Sequence, residues 1–126
     1  MDDDSSVSSF SQSVLLFING EQVRLRSGDV PPSLTLLQYL RQHRLTGTKL
    51  GCGMGACGAC TVAVATWDQE LGGPRHRSVN ACLTPVLSLD GAHVVTIEGL
   101  GDTELPHAMQ AAFQKLHATQ CGFCTP

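Results

Sequence analysis

Two strand-like runs flank an Asn-Gly dipeptide near the start of the chain. Residues 14–18 are all apolar, and residues 21–26 alternate polar and apolar side chains so that Val23 and Leu25 share one face. The dipeptide Asn19-Gly20 suits a type I′ turn, because both central residues of that turn have positive φ. The pattern predicts a β-hairpin whose first strand lies inside a sheet and whose second strand buries one face.

A helical period replaces this alternation after residue 32. Ser33 is positioned to cap the first turn of a helix. Apolar side chains then recur at the spacing of an amphipathic helix, at Leu36, Leu37, Leu40 and Leu45. We therefore predict a helix that begins after Ser33 and packs its leucines on the hairpin.

Residues 46–60 follow neither period, and five of them are glycine. This stretch is predicted to be a long loop. Further strands are predicted at residues 61–66 and 93–98, with turns at residues 72–74 and 90–91, whereas residues 78–89 show no clear period. A hairpin, a helix, a long loop and returning strands make a small α+β unit.

A second helix is predicted at residues 106–118. Pro106 suits the first helical position, and apolar side chains follow at i, i+4 and i+7, namely Met109, Phe113 and Leu116. Because this helix comes after the last strand, we expect it to open a second, helical unit. Residues 1–13 are rich in Ser and Asp and are predicted to be a flexible leader.

The charge of the chain points to no particular partner. The 126 residues carry a formal net charge of −3, which Asp2, Asp3 and Asp4 account for, and only 8 residues are Lys or Arg. No basic stripe is available for a nucleic-acid backbone, so we expect no nucleic-acid partner. An apolar content of 42% excludes a disordered chain.

The start of the chain and the length of its apolar runs bear on whether the protein is secreted or membrane-bound. An acidic, Ser-rich start is unlike a secretory signal, and residues 14–18 are far fewer than the roughly 20 apolar residues that span a bilayer. We therefore expect a cytoplasmic protein with no membrane partner. Thiols stay reduced in that compartment, so clustered cysteines favour metal binding over disulfides.

Four of the six cysteines have the spacing of an iron–sulfur site. Cys52, Cys57 and Cys60 are separated by four and by two residues, and Cys82 follows after 21 more. This is the plant-type spacing for a [2Fe–2S] cluster, in which two irons require four thiolates and one loop supplies three of them. Such a loop must bend tightly and turn its N–H groups toward sulfur, which suits the interleaved glycines Gly51, Gly53, Gly55 and Gly58.

Zinc is the main alternative on these residues. A zinc ion also accepts four thiolates, but its sites usually combine two short Cys-x2-Cys knuckles, which a spacing of four followed by two does not provide. A zinc-stabilised interaction module therefore stays open beside an electron-transfer domain. No Ser-His-Asp or paired-carboxylate arrangement occurs, so we predict no catalytic residue in this chain.

A second cysteine pair follows the last predicted helix. Cys121 and Cys124 form a Cys-x2-Cys pair, but a thioredoxin-type dithiol would follow a strand and begin a helix. Two thiolates cannot hold a four-ligand cluster. The pair is either a bare dithiol or half of a site with partners beyond Pro126, and the order of the elements favours the second.

Taken together, these residues resemble the amino-terminal iron–sulfur region of the molybdenum hydroxylases, the family of xanthine dehydrogenase and aldehyde oxidase. The resemblance runs from about residue 14 to residue 126. It rests on several motifs in the same order: the loop of residues 51–62, Asn80-Ala81-Cys82-Leu83, Glu98-Gly99-Leu100-Gly101 and residues 120–126.

The resemblance implies a β-grasp, plant-type ferredoxin-like domain over residues 14–101, with a [2Fe–2S] cluster on Cys52, Cys57, Cys60 and Cys82. It also implies that residues 102–126 begin a helical [2Fe–2S]-binding domain. There, Cys121 and Cys124 would hold part of a second cluster, and Gln120 would contact the pterin of molybdopterin. In this family, electrons from hydroxylation at molybdenum pass through both clusters to FAD.

The sequence departs from the whole enzymes of this family in one large way, since it has no Cys-x-Cys pair, FAD domain or molybdenum domain. We therefore expect a truncated electron-transfer module that is not catalytic alone. Its expected partners are the FAD and molybdenum domains or subunits of a homo-oligomeric, xanthine dehydrogenase-like parent. The alternatives are an aldehyde oxidase-type parent and a free-standing [2Fe–2S] ferredoxin, which would leave Cys121 and Cys124 without a role.

Overall fold

The structure is a computed structural model that describes residues 13–26 and 28–125. Its first element is the predicted hairpin, in which β1 (Ser13–Ile18) and β2 (Glu21–Arg26) pair antiparallel. Asn19 and Gly20 form the turn with φ of 50° and 88°. The hairpin prediction is confirmed, whereas residues 1–12 of the predicted flexible leader lie outside the described residues.

Three further strands complete a five-stranded mixed sheet within the described residues: β3 (Thr61–Asp68), β4 (Gly73–Asn80) and β5 (His93–Val95). The strand order is β2-β1-β5-β3-β4, with β1 parallel to β5 and the other neighbours antiparallel. Strand β1 therefore lies inside the sheet, as its apolar sequence predicts. With one helix over these strands, the α+β prediction is confirmed.

Strands β4 and β5 correct three predictions. Residues 72–74 are not simply a turn, because β4 begins at Gly73 and continues into the stretch that shows no clear period. Strand β4 is at the edge of the sheet, so Arg75, His76 and Arg77 are exposed in a row and leave no alternation to detect. The strand predicted at residues 93–98 is shorter, since a 3₁₀ turn occupies Ile97–Gly99.

Helix α1 (Leu36–Gln42) follows the hairpin, but its cap differs from the prediction. Thr35, not Ser33, is the N-cap: its hydroxyl accepts a hydrogen bond from Gln38 N–H at 3.2 Å, and Gln38 Oε1 accepts one from Thr35 N–H at 3.0 Å. This capping box satisfies two N–H groups at the helix start. At Ser33 the chain is still in a turn, which Leu34 N–H closes on Pro31 O at 2.9 Å.

The core is one cluster shared by α1 and the sheet. Leu16 and Ile18 of β1, Val62 and Val64 of β3 and Val94 of β5 are buried together with the helix residues Leu36, Leu37 and Leu40. Leu45 lies beyond the end of the helix and is only partly buried against this cluster. The helix therefore covers the sheet with its leucine face, as its period predicts.

Replacing Leu40 by Ala is expected to lower the free energy of unfolding by about 2–5 kcal/mol, because Leu40 is fully buried and the change leaves a cavity. Urea unfolding followed by circular dichroism measures this effect. Leu71 offers a matched control, since it is 64% exposed and its replacement by Ala should change the free energy by no more than about 0.5 kcal/mol. Equal effects of the two changes would contradict the packing described here.

Helix α2 (Ala108–Lys115) is shorter than the predicted helix. His107 rather than Pro106 adjoins its first turn, and His107 Nδ1 accepts a hydrogen bond from Met109 N–H at 3.2 Å. Gln110 joins α2 to the preceding segment by donating from Nε2 to the carbonyls of Ile97 and Gly101 at 3.3 and 3.4 Å. The apolar face of the segment is exposed at Met109, Phe113 and Leu116. Among the described residues, no helix has the length and apolarity needed to cross a membrane.

Candidate metal centre

The cysteine loop joins α1 to β3 through residues 46–60, which have no regular secondary structure, as predicted. Gly53, Gly55 and Gly58 have φ of 70°, 74° and 74°. Glycine enters this left-handed region without steric cost. The loop can therefore curl around its own cysteine side chains.

Backbone N–H groups surround two of the sulfur atoms. Cys52 Sγ accepts from three of them at 3.4, 3.2 and 3.4 Å, those of Met54, Ala56 and Cys57. Cys57 Sγ accepts from the N–H groups of Cys52 and Ala59 at 3.4 and 3.5 Å. Oriented backbone N–H groups of this kind stabilise negative charge on sulfur without a charged side chain.

This environment lowers the pKa of the Cys52 thiol to about 6. The hydrogen bond from Met54 N–H is the largest cause, followed by the hydrogen bonds from Cys57 and Ala56. A thiol with this pKa is mostly ionised at neutral pH, and the thiolate is the form that binds a metal. Cys52 is therefore ready to act as a ligand.

The four cysteines of the predicted site come together as two pairs. Cys52 and Cys57 each donate a backbone N–H to the other's sulfur, at 3.4 Å in both cases. Cys60 and Cys82 belong to the same buried cluster, and Cys60 O accepts from Ala81 N–H, next to Cys82, at 3.2 Å. Cys57 is exposed and Cys52 is half-buried, whereas Cys60 and Cys82 are only 2% and 9% exposed. Burial is the main cause that raises the pKa of the Cys82 thiol, and the neighbouring Cys60 raises it further.

Cys82 reaches the loop from a turn that directly follows β4. Asn80, the last residue of β4, donates from Nδ2 to Gly55 O at 3.1 Å. Gly55 N–H in turn donates to the Cys82 sulfur, which lowers the pKa of that thiol in part. Gly55 is thus held on both sides by the segment that carries the fourth cysteine.

Gly51 is required for space rather than for backbone freedom. A Cβ atom at this position would lie 2.6 Å from Cys57 Sγ, which is far inside van der Waals contact. The φ of Gly51 is outside the left-handed region. The cradle around the Cys57 sulfur therefore includes the volume that a side chain at residue 51 would fill.

The donor set fits a dinuclear cluster. In a [2Fe–2S] centre each iron takes two thiolates, which matches two thiol pairs, whereas zinc takes four around one point. Within residues 13–26 and 28–125, no three Cys, His, Asp or Glu side chains are grouped as they would be around one metal ion. The assignment of the four cysteines as ligands stays a prediction.

The second predicted site is only partly assembled. Cys121, Cys124 and Gln120 are all exposed. Cys124 lines a cavity of about 490 Å³ whose wall includes Gly58 and Ala59, the two residues between Cys57 and Cys60. The ligand roles of Cys121 and Cys124 and the pterin contact of Gln120 stay predictions.

Three side chains that support the cysteine loop are missed by reasoning from the sequence. Besides Asn80, Arg41 of α1 donates to the carbonyls of Thr46 and Thr48, and Glu98 accepts from Gly47 N–H. Asn80 and Glu98 belong to motifs that carry the family resemblance, but nothing in the sequence indicates what they bind. For Arg41, the sequence shows only that it lies in the last turn of a helix, which does not indicate a contact with the loop.

Comparison with known families identifies the cofactor. The model of the 2Fe-2S iron-sulfur cluster binding domain matches residues 16–87, which is more than half of the chain. A second model, described as a [2Fe-2S] binding domain, matches residues 96–126. Both matches confirm the predicted [2Fe–2S] cofactor.

Comparison with known proteins identifies the wider family. The chain is 51% identical over 113 residues to xanthine dehydrogenase 1 of Arabidopsis thaliana and 50% identical over 115 residues to aldehyde oxidase 1 of Rattus norvegicus. These alignments cover 89% and 90% of the chain. The chain spans only 8% of the length of either relative.

Solved structures of related enzymes have the same fold over most of this chain. The aldehyde oxidoreductase from Desulfovibrio gigas superposes with a TM-score of 0.74 at 36% identity, over 90% of this chain and 11% of that one. Quinoline 2-oxidoreductase from Pseudomonas putida 86 superposes with a TM-score of 0.70 at 37% identity, over 90% of this chain and 64% of that one. The ferredoxin-like fold predicted from the resemblance is confirmed. The chain belongs to the 2Fe-2S iron–sulfur cluster binding domain family and corresponds to the iron–sulfur region of the molybdenum hydroxylases.

Proposed function

We propose that Cys52, Cys57, Cys60 and Cys82 hold one [2Fe–2S] cluster and that the chain acts as a one-electron relay. The pairing of Cys52 with Cys57 through their backbone N–H groups, and of Cys60 with Cys82 within the buried cluster, carries this proposal. Each pair supplies the two thiolates that one iron requires, and the loop and the turn after β4 together complete the set of four.

When bound, a [2Fe–2S] cluster at these residues would supply one-electron transfer. The protein keeps the ligands ionised, because backbone N–H groups such as those of Met54 and Ala56 compensate negative charge on the Cys52 sulfur. On the other side, burial of Cys60 and Cys82 excludes water from their thiolates. Hydrogen bonds to sulfur and burial are two of the means by which a protein sets the reduction potential of such a centre.

The two thiol pairs have different access to solvent, and this difference determines the side from which a redox partner can approach the site. The pair of Cys52 and Cys57 is at the surface, whereas the pair of Cys60 and Cys82 lies against the core. A redox partner can come close only to the first pair. We therefore assign electron exchange to the face that carries Cys52 and Cys57.

The chain is proposed to comprise a first unit of residues 14–101 and the beginning of a helical unit at residues 102–126. The second family match includes Cys121 and Cys124, which supports their role as half of a second [2Fe–2S] site. Two thiolates do not complete such a site, so it needs further ligands. Gln120 is proposed to contact the pterin of molybdopterin beside it.

The parent enzyme is proposed to be a cytoplasmic, homo-oligomeric molybdenum hydroxylase that hydroxylates purines, as a xanthine dehydrogenase does. Electrons would pass from molybdopterin through both clusters to FAD, with the FAD and molybdenum domains or subunits as partners of this chain. An aldehyde oxidase-type parent is the alternative, since relatives of the two names are 51% and 50% identical to the chain. A free-standing ferredoxin is disfavoured, because residues 96–126, which match a second [2Fe-2S] binding domain, would then have no role.

Metal analysis and spectroscopy of the protein reconstituted without air test the relay. For the first site we expect about two irons and two acid-labile sulfides per chain, a reddish-brown colour and a rhombic EPR signal after one-electron reduction. A colourless protein with one zinc per chain and no labile sulfide would overturn the proposal. Any additional iron bound at Cys121 and Cys124 should disappear in the variant Cys121→Ser.

A further inference from the structure

The cysteine loop begins with a short segment, residues 46–49, that we name the loop root. Lys49 N–H donates to Ala59 O at 3.1 Å, so the root is joined directly to the residue before Cys60. The cysteines Cys52 and Cys57 lie between these two points. Contacts that fix residues 46–49 therefore also fix Ala59, and so both ends of the segment that carries Cys52 and Cys57.

Arg41 holds the root from the side of α1. Its Nη1 donates to Thr46 O at 3.2 Å and to Thr48 O at 2.9 Å. Lys49 Nζ also donates to Thr46 O, at 2.8 Å. Two carbonyls of the root are thus bound by positively charged donors, and such hydrogen bonds are about twice as strong as those between neutral groups.

Glu98 holds the root from the opposite side. Its Oε1 accepts from Gly47 N–H at 2.7 Å. A Cβ atom at Gly47 would collide with the side chain of Ile97 and lie 2.8 Å from Glu98 Oε1, so the root is in close contact with this segment. Partial burial raises the pKa of Glu98, but the hydrogen bonds from Thr96, from Gly47 N–H and from its own N–H, together with the charge of Lys49, outweigh it, so the pKa lies below its ordinary value.

Glu98 is an exposed residue, but its carboxylate is held by a buried hydroxyl. Its Oε2 accepts from the Thr96 hydroxyl at 2.6 Å, and Thr96 is only 2% exposed. Asn19 in the hairpin turn completes the arrangement: its Nδ2 donates to Thr96 Oγ1 and its Oδ1 accepts from Thr96 N–H, both at 2.9 Å. The carboxylate therefore has little freedom to follow the root if the root moves.

We infer that Glu98 is a positioning residue for the [2Fe–2S] site: its carboxylate fixes the loop root through Gly47 N–H, opposite Arg41, and so slows the opening of the loop that releases the cluster. Glu98 does not touch the four cysteines and is not a ligand. This inference rests on the proposed function, since it concerns the retention of the cluster. In this inference, Glu98 of the motif Glu98-Gly99 supports the cysteine loop.

The test compares iron release to an excess of chelator, followed by loss of visible absorption, in the cluster-loaded protein. We expect Glu98→Ala to release iron about tenfold faster than the wild type, because it removes a charge-assisted hydrogen bond. Glu98→Gln keeps an acceptor oxygen but no charge and should be intermediate. Glu104→Ala removes an exposed carboxylate from the same region and should leave the rate within twofold of the wild type.

Amide hydrogen exchange of the same loaded proteins separates positioning from a general loss of stability. In Glu98→Ala we expect faster exchange in residues 46–60 and unchanged exchange in β1 and β2. Thr96→Val removes the hydroxyl that holds the Glu98 carboxylate but leaves Gly47 with its acceptor. It should therefore release iron faster than the wild type but more slowly than Glu98→Ala, and it should also speed exchange in the hairpin, which Asn19 joins to Thr96.

Two results would overturn the inference. One is iron release from Glu98→Ala at less than twice the wild-type rate, and the other is faster exchange spread equally over residues 46–60 and the hairpin. Failure of the proposed function is distinguishable from either, because in that case the wild-type protein itself would contain no iron and no labile sulfide. Arg41→Met provides a second variant that should accelerate iron release through the opposite side of the root.

Discussion

The variant Cys82→Ser is expected to retain less than about a tenth of the wild-type cluster, because the thiolate is the ligand that iron requires in such sites. Cys82 is 9% exposed and contacts Cys60, so neither water nor another side chain can easily take its place. Visible absorption, iron and labile sulfide content, and the EPR signal of the reduced protein measure this loss.

The matched control for this change is Cys121→Ser, which alters the same side chain at an exposed position outside the two thiol pairs. It should leave the signal of the first cluster unchanged. If Cys82→Ser instead keeps that signal in full, the assignment of the fourth ligand is wrong. Loss of the signal in both variants would point to a general effect of removing a cysteine.

The variant Gly51→Ala should also fail to hold the cluster, for a steric reason. The new Cβ would lie 2.6 Å from Cys57 Sγ. A free thiol can rotate away from such a contact, but a sulfur bound to iron cannot, so the cost of the collision should be confined to the loaded site. We therefore expect a protein with a wild-type circular dichroism spectrum in the far ultraviolet and less than about a fifth of the iron, since misplacing one of four ligands weakens the whole set.

Gly73→Ala is the control for Gly51→Ala, because it makes the same substitution where φ is also outside the left-handed region and no atom lies within 4 Å of the added Cβ. It should load with iron as the wild type does. Equal loading of the two variants would show that the space beside Cys57 Sγ is not needed for the cluster. Unfolding of Gly51→Ala before any iron is added would contradict the claim that the effect is confined to the loaded site.

The parts of the fold that were predictable from the sequence are those governed by local chemistry. Asn19-Gly20 determines its own turn through positive φ, and the leucines of α1 reveal a buried helix face. Strand β4 could not be predicted in this way, because its exposed residues pair with β3 but bury nothing. The N-cap of α1 was missed for a similar reason, since Ser33 and Thr35 have equivalent hydroxyls and only the turn closed by Leu34 decides between them.

In the candidate site, too, the features set by local sequence could be predicted and those that depend on the folded sheet could not. The spacing of Cys52, Cys57 and Cys60 and the glycines around them indicate a curled loop with N–H groups directed at sulfur, and the structure contains that loop. Two of the contacts that hold the loop in place, Asn80 with Gly55 and Glu98 with Gly47, join residues that are far apart in the chain. Such contacts depend on the sheet having formed, so no local pattern of residues could indicate them.

The parallel pairing of β1 with β5 affects when the site can form during synthesis of the protein. Asn19 and Thr96, which are bonded in the folded chain, are 77 residues apart, so the amino-terminal hairpin leaves the ribosome long before the strand that joins it to β3. Closing so long a connection is slow and entropically costly. At about 5–20 residues per second, Glu98 follows Cys52 out of the ribosome by several seconds, during which the reactive thiols have no supporting sheet. The full set of contacts that supports the cysteine loop can therefore form only after translation has passed residue 98.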